Sequence, residues 1–348
     1  MIRVPAKPLT ELIAKILVGY NVTDVQALSV ARNTVWNALV GRDNFSFGRL
    51  PIHIKRVQAG VLNGAAEPVV EEKIESIAIV DGCDGFGHYV GELSMAEAIR
   101  RAETSGLGVA VARNSNFFGT GAYFVNMAAE AGMVGLALSN SFPKVAAPGG
   151  ALPVLGTNPF AFGVPRENGR HLLFDMATSG LAGSTVRQHI DEGTDLPVGL
   201  AVDKDGAPIT DPHKVAEGAL TPFGGAKGFG LSLLVEILAG VLSGAGVSNG
   251  VASLYSDFSQ SGHSGHFFMA IDISKFMPKE TFLERMEGLI TLLHQSGSDE
   301  AVLYPGEVRW TRFEENTRLG VPLSEENQDL LTGLCEQLGV STLWQKAT

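Results

Sequence analysis

Three polar segments interrupt the apolar, strand-like runs in the middle of this chain. They are ARNSNFFGTGAY (112–123), VLGTNPFAFGVP (154–165) and FDMATSGLAG (174–183), and all three are rich in Asn, Thr or Ser. Turns of this kind present backbone N–H groups and hydroxyls that can bind an anion or an amide. Any one of them could be an ordinary Asx or ST turn, but three so close together favour a shared binding site.

Two glycine patterns suggest phosphate-binding loops, but neither meets the requirements of its motif. In GAKG (225–228) no Ser or Thr follows the lysine, as a P-loop requires. Gly119 and Gly121 lie between a predicted strand and a predicted helix, yet the third glycine position of the dinucleotide fingerprint is Phe124. A plain glycine turn is the simpler interpretation there, and the pattern does not indicate a Rossmann fold.

Metal ligands and cysteine nucleophiles are not indicated either. His263 and His266 are three residues apart, but no Cys or carboxylate stands near them at ligand spacing, which favours a polar loop that enters a strand. Cys83 and Cys335 have no adjacent His or basic residue, which favours buried thiols. Two cysteines cannot form a disulfide framework, as expected for a reducing compartment. We predict no metal site.

The composition is that of an acidic protein with a large core. Of 348 residues, 26 are Lys or Arg and 37 are Asp or Glu, so the formal net charge is −11, while 45% are apolar. Such a chain is a poor ligand for nucleic acid or an anionic membrane. The most apolar stretch, residues 231–247, contains Glu236 and several glycines, which indicates a buried helix. We expect a cytoplasmic protein of about two domains, with no nucleic-acid or membrane partner.

The elements that must position these segments are helical at both chain ends and strand-like in the middle. Helices are predicted over residues 9–17, 24–40 (with Thr23 and Gln26 as a capping box), 51–60, 96–104, 121–131, 229–242, 281–295 and 324–338. Strands are predicted over residues 76–80, 108–112, 135–139, 160–164, 172–174 and 267–273. We therefore predict a mixed α/β fold. Residues 1–75 and 280–348 form a helical domain built from both ends, and residues 76–279 form a sheet-based domain.

Taken together, the motifs resemble the malate/L-lactate dehydrogenase family of NAD(P)H-dependent oxidoreductases, which is distinct from the Rossmann lactate dehydrogenases. They follow the family's order over nearly the whole chain. The motifs are VDG (80–82), NSN and FG (114–119), LGTNPFAFGVP (155–165), FDMATS (174–179), PFGGAKGFGLSLLVEILAGVLSG (222–244) and YPGE (304–307). Within the family, the chain looks most similar to the cyclic-ketimine reductases, which act on piperideine- and pyrroline-2-carboxylate.

The resemblance implies a homodimer whose central, mostly antiparallel sheet (residues 76–279) binds NADPH or NADH without a Rossmann fold. Carried over by position, the cofactor contacts are Phe117, Phe118, Gly119, Thr120, Gly121, Asp175, Met176, Ala177, Thr178, Lys227, Gly306 and Glu307. The substrate carboxylate would be met by Arg49 and Thr157. Arginine suits this role because its planar guanidinium can bind a carboxylate through two parallel hydrogen bonds.

The chain departs from the family at the residues that would transfer a proton. The family's Ser-His-Gly, whose His is the proton donor, corresponds to Asn44, Phe45 and Ser46, and a second family His corresponds to Phe117. The carboxylate that completes the relay in ketimine reductases corresponds to Thr185. Asn44, Phe45 and Phe117 would thus occupy the catalytic positions, with the two phenyl rings as pocket walls.

The loss of these groups favours reduction of a C=N bond. Reduction of a ketone leaves an alkoxide that needs a proton, and a well-placed general acid is worth roughly 10²–10⁴-fold in rate. An imine can arrive already protonated, and phenyl rings favour such a cation. We therefore expect hydride transfer from NAD(P)H to an imino acid or a cyclic imine.

Two alternatives remain open. The first is a 2-oxo-acid or 2-hydroxy-acid dehydrogenase with a substitute acid, for which His53, His88, Tyr123 and His189 are candidates. The second is a non-catalytic relative that binds the cofactor without turnover.

Overall fold

The computed structural model describes residues 1–298 and 301–344, which form a mixed α/β fold. The strands are β1 (Ile2–Val4), β2 (Val69–Ile74), β3 (Ile77–Asp81), β4 (Leu107–Ser115), β5 (Met133–Ser139), β6 (Val145–Ala146), β7 (Pro153–Leu155), β8 (Phe160–Val164), β9 (Leu172–Met176), β10 (Ala201–Val202), β11 (Ala219–Leu220), β12 (Ser264–Asp272) and β13 (Val321–Leu323). The helices are α1 (Ala6–Gly19), α2 (Asp24–Leu39), α3 (Leu50–Gln58), α4 (Gly87–Ser105), α5 (Gly121–Glu130), α6 (Gly183–Glu192), α7 (Ala226–Val235), α8 (Lys279–Gln295), α9 (Glu307–Leu319) and α10 (Glu325–Leu338).

A seven-stranded sheet in the order β2-β3-β4-β12-β5-β8-β9 forms the centre of the fold. Among the described strands of this sheet, only the β3–β4 pair is parallel, which confirms the predicted mostly antiparallel sheet. On β12, Phe268 lies between Ala110 of β4 and Ala137 of β5, and these small neighbours leave room for its buried ring. Helices α4 and α5 pack on the sheet, and a π-helical turn, Glu236–Val241, continues α7 and contacts β4, β5 and β12.

The two chain ends join in one helical core. Strand β1 pairs with β13, so that Ile2 lies opposite Leu323, and buried residues of α1, α2, α3 and α10 form a single hydrophobic cluster. Helix α8 packs elsewhere: Ile290 lies against Leu172 and Tyr304, at the β9 side of the sheet. The domain boundaries at residues 75 and 280 stay predictions. No helix in the described part of the chain is long and apolar enough to cross a membrane.

The sequence located the central strands to within a few residues but missed β2, the short strands β1, β6, β7, β10, β11 and β13, and the helices α6 and α9. The predicted capping box was wrong. The Thr23 hydroxyl donates to the Gly64 carbonyl at 3.3 Å, and the Gln26 amide donates to the same carbonyl at 2.9 Å, because the loop after α3 offers these carbonyls at the start of α2. The predicted helix 229–242 begins earlier, at Ala226, and its α-helical part ends at Val235. The prediction that this stretch is a buried helix was wrong, because one of its apolar faces is exposed: Leu233, Leu234, Ile237, Val241 and Leu242.

Candidate active site

Two 3-10 turns after α2, Asp43–Phe45 and Phe47–Arg49, place Phe45 and Arg49 next to Phe117, and we call the space at these three side chains the candidate pocket. The turns are fixed from behind, because Phe47 is buried in the helical core and the Ser46 hydroxyl donates to the carbonyl of Thr34 at 3.1 Å. The Phe45 ring lies parallel to the Phe117 ring, with 6.2 Å between ring centres and 3° between planes. The structure thus brings together the two predicted pocket walls.

The Arg49 guanidinium lies beside this pair. Its central carbon is 5.8 Å from the centre of the Phe117 ring and 5.4 Å from that of Tyr255. Its Nε donates to the carbonyl of Asn44 at 2.9 Å, which gives Asn44 a positioning contact, and Nη1 donates to the Tyr255 hydroxyl. No described Asp or Glu forms an ion pair with Arg49. The cation is therefore held in place without an internal counter-ion.

The LGTN turn that carries Thr157 is fixed by buried polar groups. The Thr157 N–H donates to the Ser141 hydroxyl at 3.0 Å, and the Ser141 N–H donates to the Asn158 side-chain oxygen at 3.1 Å. The Asn158 amide in turn donates to the buried Glu236 carboxylate at 2.7 Å. At Gly156 a Cβ would lie 2.2 Å from the Ser141 carbonyl oxygen, so only glycine allows the turn to approach this loop.

Residues 251–262, which we call the cover segment, contribute Tyr255, which lies against Arg49 at the candidate pocket. The buried guanidinium of Arg56 on α3 donates to the carbonyls of Ser253, Asp257 and Gln260 and so holds this segment against the helix. Its far end is held by Asn116, whose side-chain oxygen accepts from the N–H of Gly262 at 3.0 Å. The residue before Phe117 therefore holds the cover segment, which explains why the last residue of NSN is polar.

The four candidate substitute acids fall into two groups. His53 and His88 lie against Phe117, with ring centres 5.7 and 5.8 Å from it, and 5.3 Å from each other. Tyr123 lies elsewhere, on α5, where its hydroxyl donates to Glu92 at 2.6 Å and its pKa is raised, chiefly by burial. His189, on α6, forms a hydrogen bond between its Nδ1 and the Thr194 hydroxyl at 2.8 Å.

His53 and His88 are neutral at physiological pH. Burial lowers the pKa of His88 to about 3, and burial, followed by the charges of His88, Arg49 and Arg56, lowers that of His53 well below its usual value. Each ring keeps one nitrogen, His53 Nε2 and His88 Nδ1, without a hydrogen-bond partner in the described chain. Neither imidazole is therefore the protonated donor that ketone reduction calls for.

Acidification is expected to destabilise the protein through these histidines. A His whose pKa is lowered by folding binds a proton more readily in the unfolded chain than in the folded one. Its contribution to the free energy of unfolding is therefore fully present above about pH 6.5 and decreases as the pH falls towards the pKa of the folded state. His88 and the buried His266, both with a pKa of about 3, should each cost about 2 kcal/mol at pH 5. Urea unfolding at pH 7 and pH 5 measures this loss.

The matched variants for this experiment are His88→Gln and His213→Gln. In His88→Gln, the difference in the free energy of unfolding between pH 7 and pH 5 should be about 2 kcal/mol smaller than in the wild-type protein. His213→Gln, at an exposed position, should leave this difference unchanged. An unchanged pH dependence in His88→Gln would contradict the prediction.

Some of the predicted cofactor residues line a surface that begins at a cavity of about 390 Å³. Asp175 and Gly306 line this cavity together with the arginines Arg42, Arg309 and Arg312. Gly306 has φ +101° and precedes the first turn of α9, and a Cβ there would lie 2.9 Å from the backbone nitrogen of Leu173. Backbone, a carboxylate and several guanidinium groups thus face one space, as the ribose and phosphates of a dinucleotide require.

The surface continues past the end of β9. Thr178 donates from its backbone N–H to the Thr157 carbonyl at 2.8 Å, and its own carbonyl accepts from the N–H of Phe223 at 3.1 Å. Segment 175–178, which includes Met176 and Ala177, therefore connects the cavity to the LGTN turn and to the glycine-rich start of α7. Lys227 lies exposed in the first turn of that helix.

Other predicted cofactor contacts point away from this surface. The Phe118 ring is buried and stacks on His266, with 4.8 Å between ring centres and 3° between planes. The Thr120 hydroxyl donates to the side chain of Asn37 at 2.8 Å, and the Glu307 carboxylate is paired with His294 at 3.0 Å. At Phe118 and Thr120, as at the glycines 119 and 121, only backbone groups can meet a ligand. The reason is that residues 118–121 dock the loop on α2 and the sheet.

Comparison with known proteins decides the identity of the fold. The sequence model of the malate/L-lactate dehydrogenase family matches residues 4–332. A malate dehydrogenase of Pyrococcus horikoshii is 35% identical, covering 98% of this chain and 97% of the relative. The chain belongs to this family.

Relatives of both chemical classes appear within the family. A Delta(1)-pyrroline-2-carboxylate/Delta(1)-piperideine-2-carboxylate reductase of Pseudomonas syringae pv. tomato is 32% identical, covering 94% of each chain. The crystal structure of malate dehydrogenase from Entamoeba histolytica superposes with a TM-score of 0.92 at 27% identity, covering 98% of this chain and 99% of that one. The family is one of NAD(P)-dependent dehydrogenases and reductases. The homodimer that the resemblance implies stays a prediction.

Family motifs did not reveal several residues that shape this site. Tyr255 and Arg56 act through the cover segment, and Arg309 lines the cavity from the first turn of α9. Of these missed residues, only Glu236 was noticeable in the sequence, because it is a single carboxylate within an apolar stretch. It accepts hydrogen bonds from Asn158 and from the N–H of Ser248 and so ties together two loops of the site.

Proposed function

We propose that this chain reduces the C=N bond of an imino acid or a cyclic imine with NADPH. The observation that carries the proposal is the parallel pair of Phe45 and Phe117 next to Arg49, at the positions where the resemblance puts the family's histidines. Phenyl rings donate no proton, and a protonated imine needs none. The ring faces also attract the cation, by about 0.5–2 kcal/mol.

The residues of the pocket have different roles in binding and orienting the substrate. Arg49 holds the substrate carboxylate, aided by the Thr157 side chain, while the two phenyl rings exclude water from the C=N bond. The nicotinamide, when bound, supplies the hydride. The iminium carbon accepts that hydride and the C=N π electrons move onto nitrogen, so the product is an amine that has kept the substrate's own proton.

Rates of NADPH oxidation with piperideine-2-carboxylate, pyruvate and oxaloacetate test the proposal. We expect turnover of the imine to exceed that of both 2-oxo acids, and the rate to fall at high pH as the imine loses its proton. Equal or better turnover of the 2-oxo acids would overturn it. Tight NADPH binding without turnover of any of the three would favour the non-catalytic alternative.

A 2-oxo-acid reductase is the second candidate, and the contact of His53 and His88 with Phe117 is the observation that favours it. In this case an imidazole would need to gain a proton and reach the pocket past the phenyl ring. The pH–rate profile discriminates between the two, since an enzymic acid adds a pKa that does not change with the substrate.

We infer a preference for NADPH from the three arginines of the cavity. No described acid forms an ion pair with Arg42, Arg309 or Arg312, and Arg309 Nη1 is buried without a partner. Burial lowers the pKa of Arg309. The nearby Asp175 raises this pKa and the nearby Arg42 lowers it further, so the charges of the three groups interact. A dianionic phosphate on the ribose would satisfy these cations better than a neutral hydroxyl.

Arg309→Met is expected to weaken binding of 2′,5′-ADP by about 10- to 100-fold, because one charge-assisted hydrogen bond is lost. Binding of 5′-AMP, which lacks the 2′-phosphate, should change little. Calorimetry with the two nucleotides measures the difference, and Arg187→Met, at an exposed position on α6, is the control. Equal losses for both nucleotides would assign Arg309 a general role in the fold instead.

A further inference from the structure

Arg56 is a buried arginine that the proposed reaction does not touch. It lies on α3, seven residues after Arg49, and residues at this spacing lie on the same face of a helix. Its guanidinium donates to three carbonyls of the cover segment, those of Ser253 at 3.4 Å, Asp257 at 2.5 Å and Gln260 at 3.2 Å. One side chain of α3 therefore fixes the backbone of this segment at three points.

The cover segment is a closed loop with little core of its own. The N–H of Ala252 donates to the Gly262 carbonyl at 3.0 Å, so the two ends of the loop meet. Between these ends, Leu254 is the one apolar residue whose side chain is buried. The hydrogen bonds of Arg56 thus take the place of a hydrophobic core in fixing the shape of the loop.

The guanidinium of Arg56 is buried without an acidic partner. Unlike the buried Arg101, it forms no ion pair with an Asp or Glu of the described chain. The Asp257 carboxylate accepts instead from Ser259 and Gln260. Burial lowers the pKa of Arg56, and the charge of Asp257 raises it. A buried charge adds little net stability compared with an apolar side chain, so its contacts are better explained by the position that they give to the loop.

The loop brings Tyr255 to Arg49. The Tyr255 hydroxyl accepts from Arg49 Nη1, and the centre of its ring is 5.4 Å from the guanidinium carbon. The same ring contacts Phe142 edge to face, with 6.1 Å between ring centres, and Lys144, whose Nζ is 5.7 Å away. Tyr255 is 45% exposed, so its position depends on the loop backbone rather than on burial. Arg56 holds that backbone two residues before Tyr255 and two residues after it.

We propose that Arg56 is a positioning residue for substrate binding: it places Tyr255 so that the tyrosine hydroxyl keeps the Arg49 guanidinium oriented for the substrate carboxylate. The inference rests on the carboxylate-binding role of Arg49 in the proposed function, but not on which double bond is reduced. Arg49 is held by two hydrogen bonds, from Nε to the Asn44 carbonyl and from Nη1 to Tyr255. Without the second, the outer end of the guanidinium is free to move, and binding of a carboxylate must then also order the side chain.

Binding of a non-reducible carboxylate tests the inference without turnover. We expect Arg56→Met to weaken binding of pyridine-2-carboxylate to the NADPH-loaded protein by about 10-fold, as measured by calorimetry. Pyridine-2-carboxamide, which has the same shape and no charge, should bind both proteins alike. Arg56→Lys should show a smaller loss of the same kind, because an ammonium group can still donate to the loop carbonyls. This variant supplies the same comparison if the Met variant does not fold.

Arg101→Met is the matched control, because Arg101 is also a buried arginine on a helix that donates to carbonyls of a turn, those of Ile74 and Glu75. It should lower the free energy of unfolding, as Arg56→Met does, and leave the affinity for pyridine-2-carboxylate unchanged. Equal losses of affinity in the two variants would overturn the inference. So would an equal loss for carboxylate and carboxamide in Arg56→Met, since either result is a general effect of lowered stability.

A double-mutant cycle with Tyr255→Phe tests the route through the hydroxyl. Arg56→Met should weaken binding of pyridine-2-carboxylate about 10-fold in the wild-type background and less than about 2-fold in Tyr255→Phe, because the two residues act in series. Additive losses would contradict this route and the inference with it.

Steady-state kinetics separate this inference from the imine proposal. For a carboxylated imine, Arg56→Met should raise KM and leave kcat nearly unchanged, and for 1-piperideine it should change neither. If no imine is reduced but the calorimetric pattern holds, the imine proposal fails and this inference stands. If imines are reduced but Arg56→Met binds pyridine-2-carboxylate as the wild-type protein does, this inference alone fails.

Discussion

Replacing Arg49 by Met is expected to lower kcat/KM for a carboxylated imine by about 10²–10³-fold. The loss follows from leaving the substrate carboxylate without its charged partner in a partly desolvated pocket, which typically costs about 2–5 kcal/mol. Arg49→Lys should recover only part of the activity, because an ammonium group cannot form the two parallel hydrogen bonds of a guanidinium. Steady-state kinetics of the three proteins measure the effect.

Two controls separate carboxylate binding from a change in the pocket. The first is the substrate 1-piperideine, which has no carboxylate, and for which Arg49→Met should change kcat/KM little. The second is Tyr255→Phe, which keeps the ring beside Arg49 and removes only the hydroxyl that accepts from Nη1. If Arg49→Met impaired both substrates alike, the residue would position the loop rather than bind the carboxylate.

The sequence predicted the central strands because their evidence is local. Residues 135–139, 160–164 and 172–174 are short apolar runs between turn residues, and each belongs to a strand whose side chains are buried or half-buried. Strand β2 was not predicted because VVEEKI carries three charges in six residues. Such a composition is typical of a strand at the exposed edge of a sheet. Helix α9 was missed because EVRWTRFEENTRL has few apolar residues.

The candidate site could be predicted where motifs mark its residues, and not where its contacts join residues that no motif marks. The turn around Thr157 and the parallel rings of Phe45 and Phe117 lie at positions that motifs identified. The contact of Tyr255 with Arg49 joins residues 206 positions apart, and no pattern near either one indicates it. The same holds for Lys144, since a single lysine in SFPKVAAP is indistinguishable from a surface charge until the fold places it beside Tyr255.

Under the proposed function, the geometry also explains how this chain works without the family's histidines. His53 and His88 stand behind Phe117, buried and neutral, and the phenyl ring lies between them and Phe45. The proton that these imidazoles could transfer is therefore kept from the pocket by an apolar ring. A substrate that brings its own proton avoids this barrier, whereas a ketone does not.

Returning an imidazole to the pocket should consequently change which double bond is reduced. We expect Phe45→His to raise kcat for pyruvate or oxaloacetate by about 10²-fold, the lower end of the range for a well-placed general acid. Turnover of piperideine-2-carboxylate should change little. The ratio of the two kcat values measures the effect, and the variant's 2-oxo-acid profile should gain a limb that falls as the pH rises through the pKa of the introduced imidazole.

Phe45→Leu is the matched control, because it removes the same ring without supplying a proton donor. Phe117→His is the complementary variant, and it places the new imidazole next to His53 and His88. Because those two rings are neutral and Arg49 lies 5.8 Å from the Phe117 ring centre, the introduced group should have a lowered pKa and a smaller gain than at position 45. An equal gain in Phe45→Leu, or none in either histidine variant, would show that proton supply does not limit ketone reduction in this pocket.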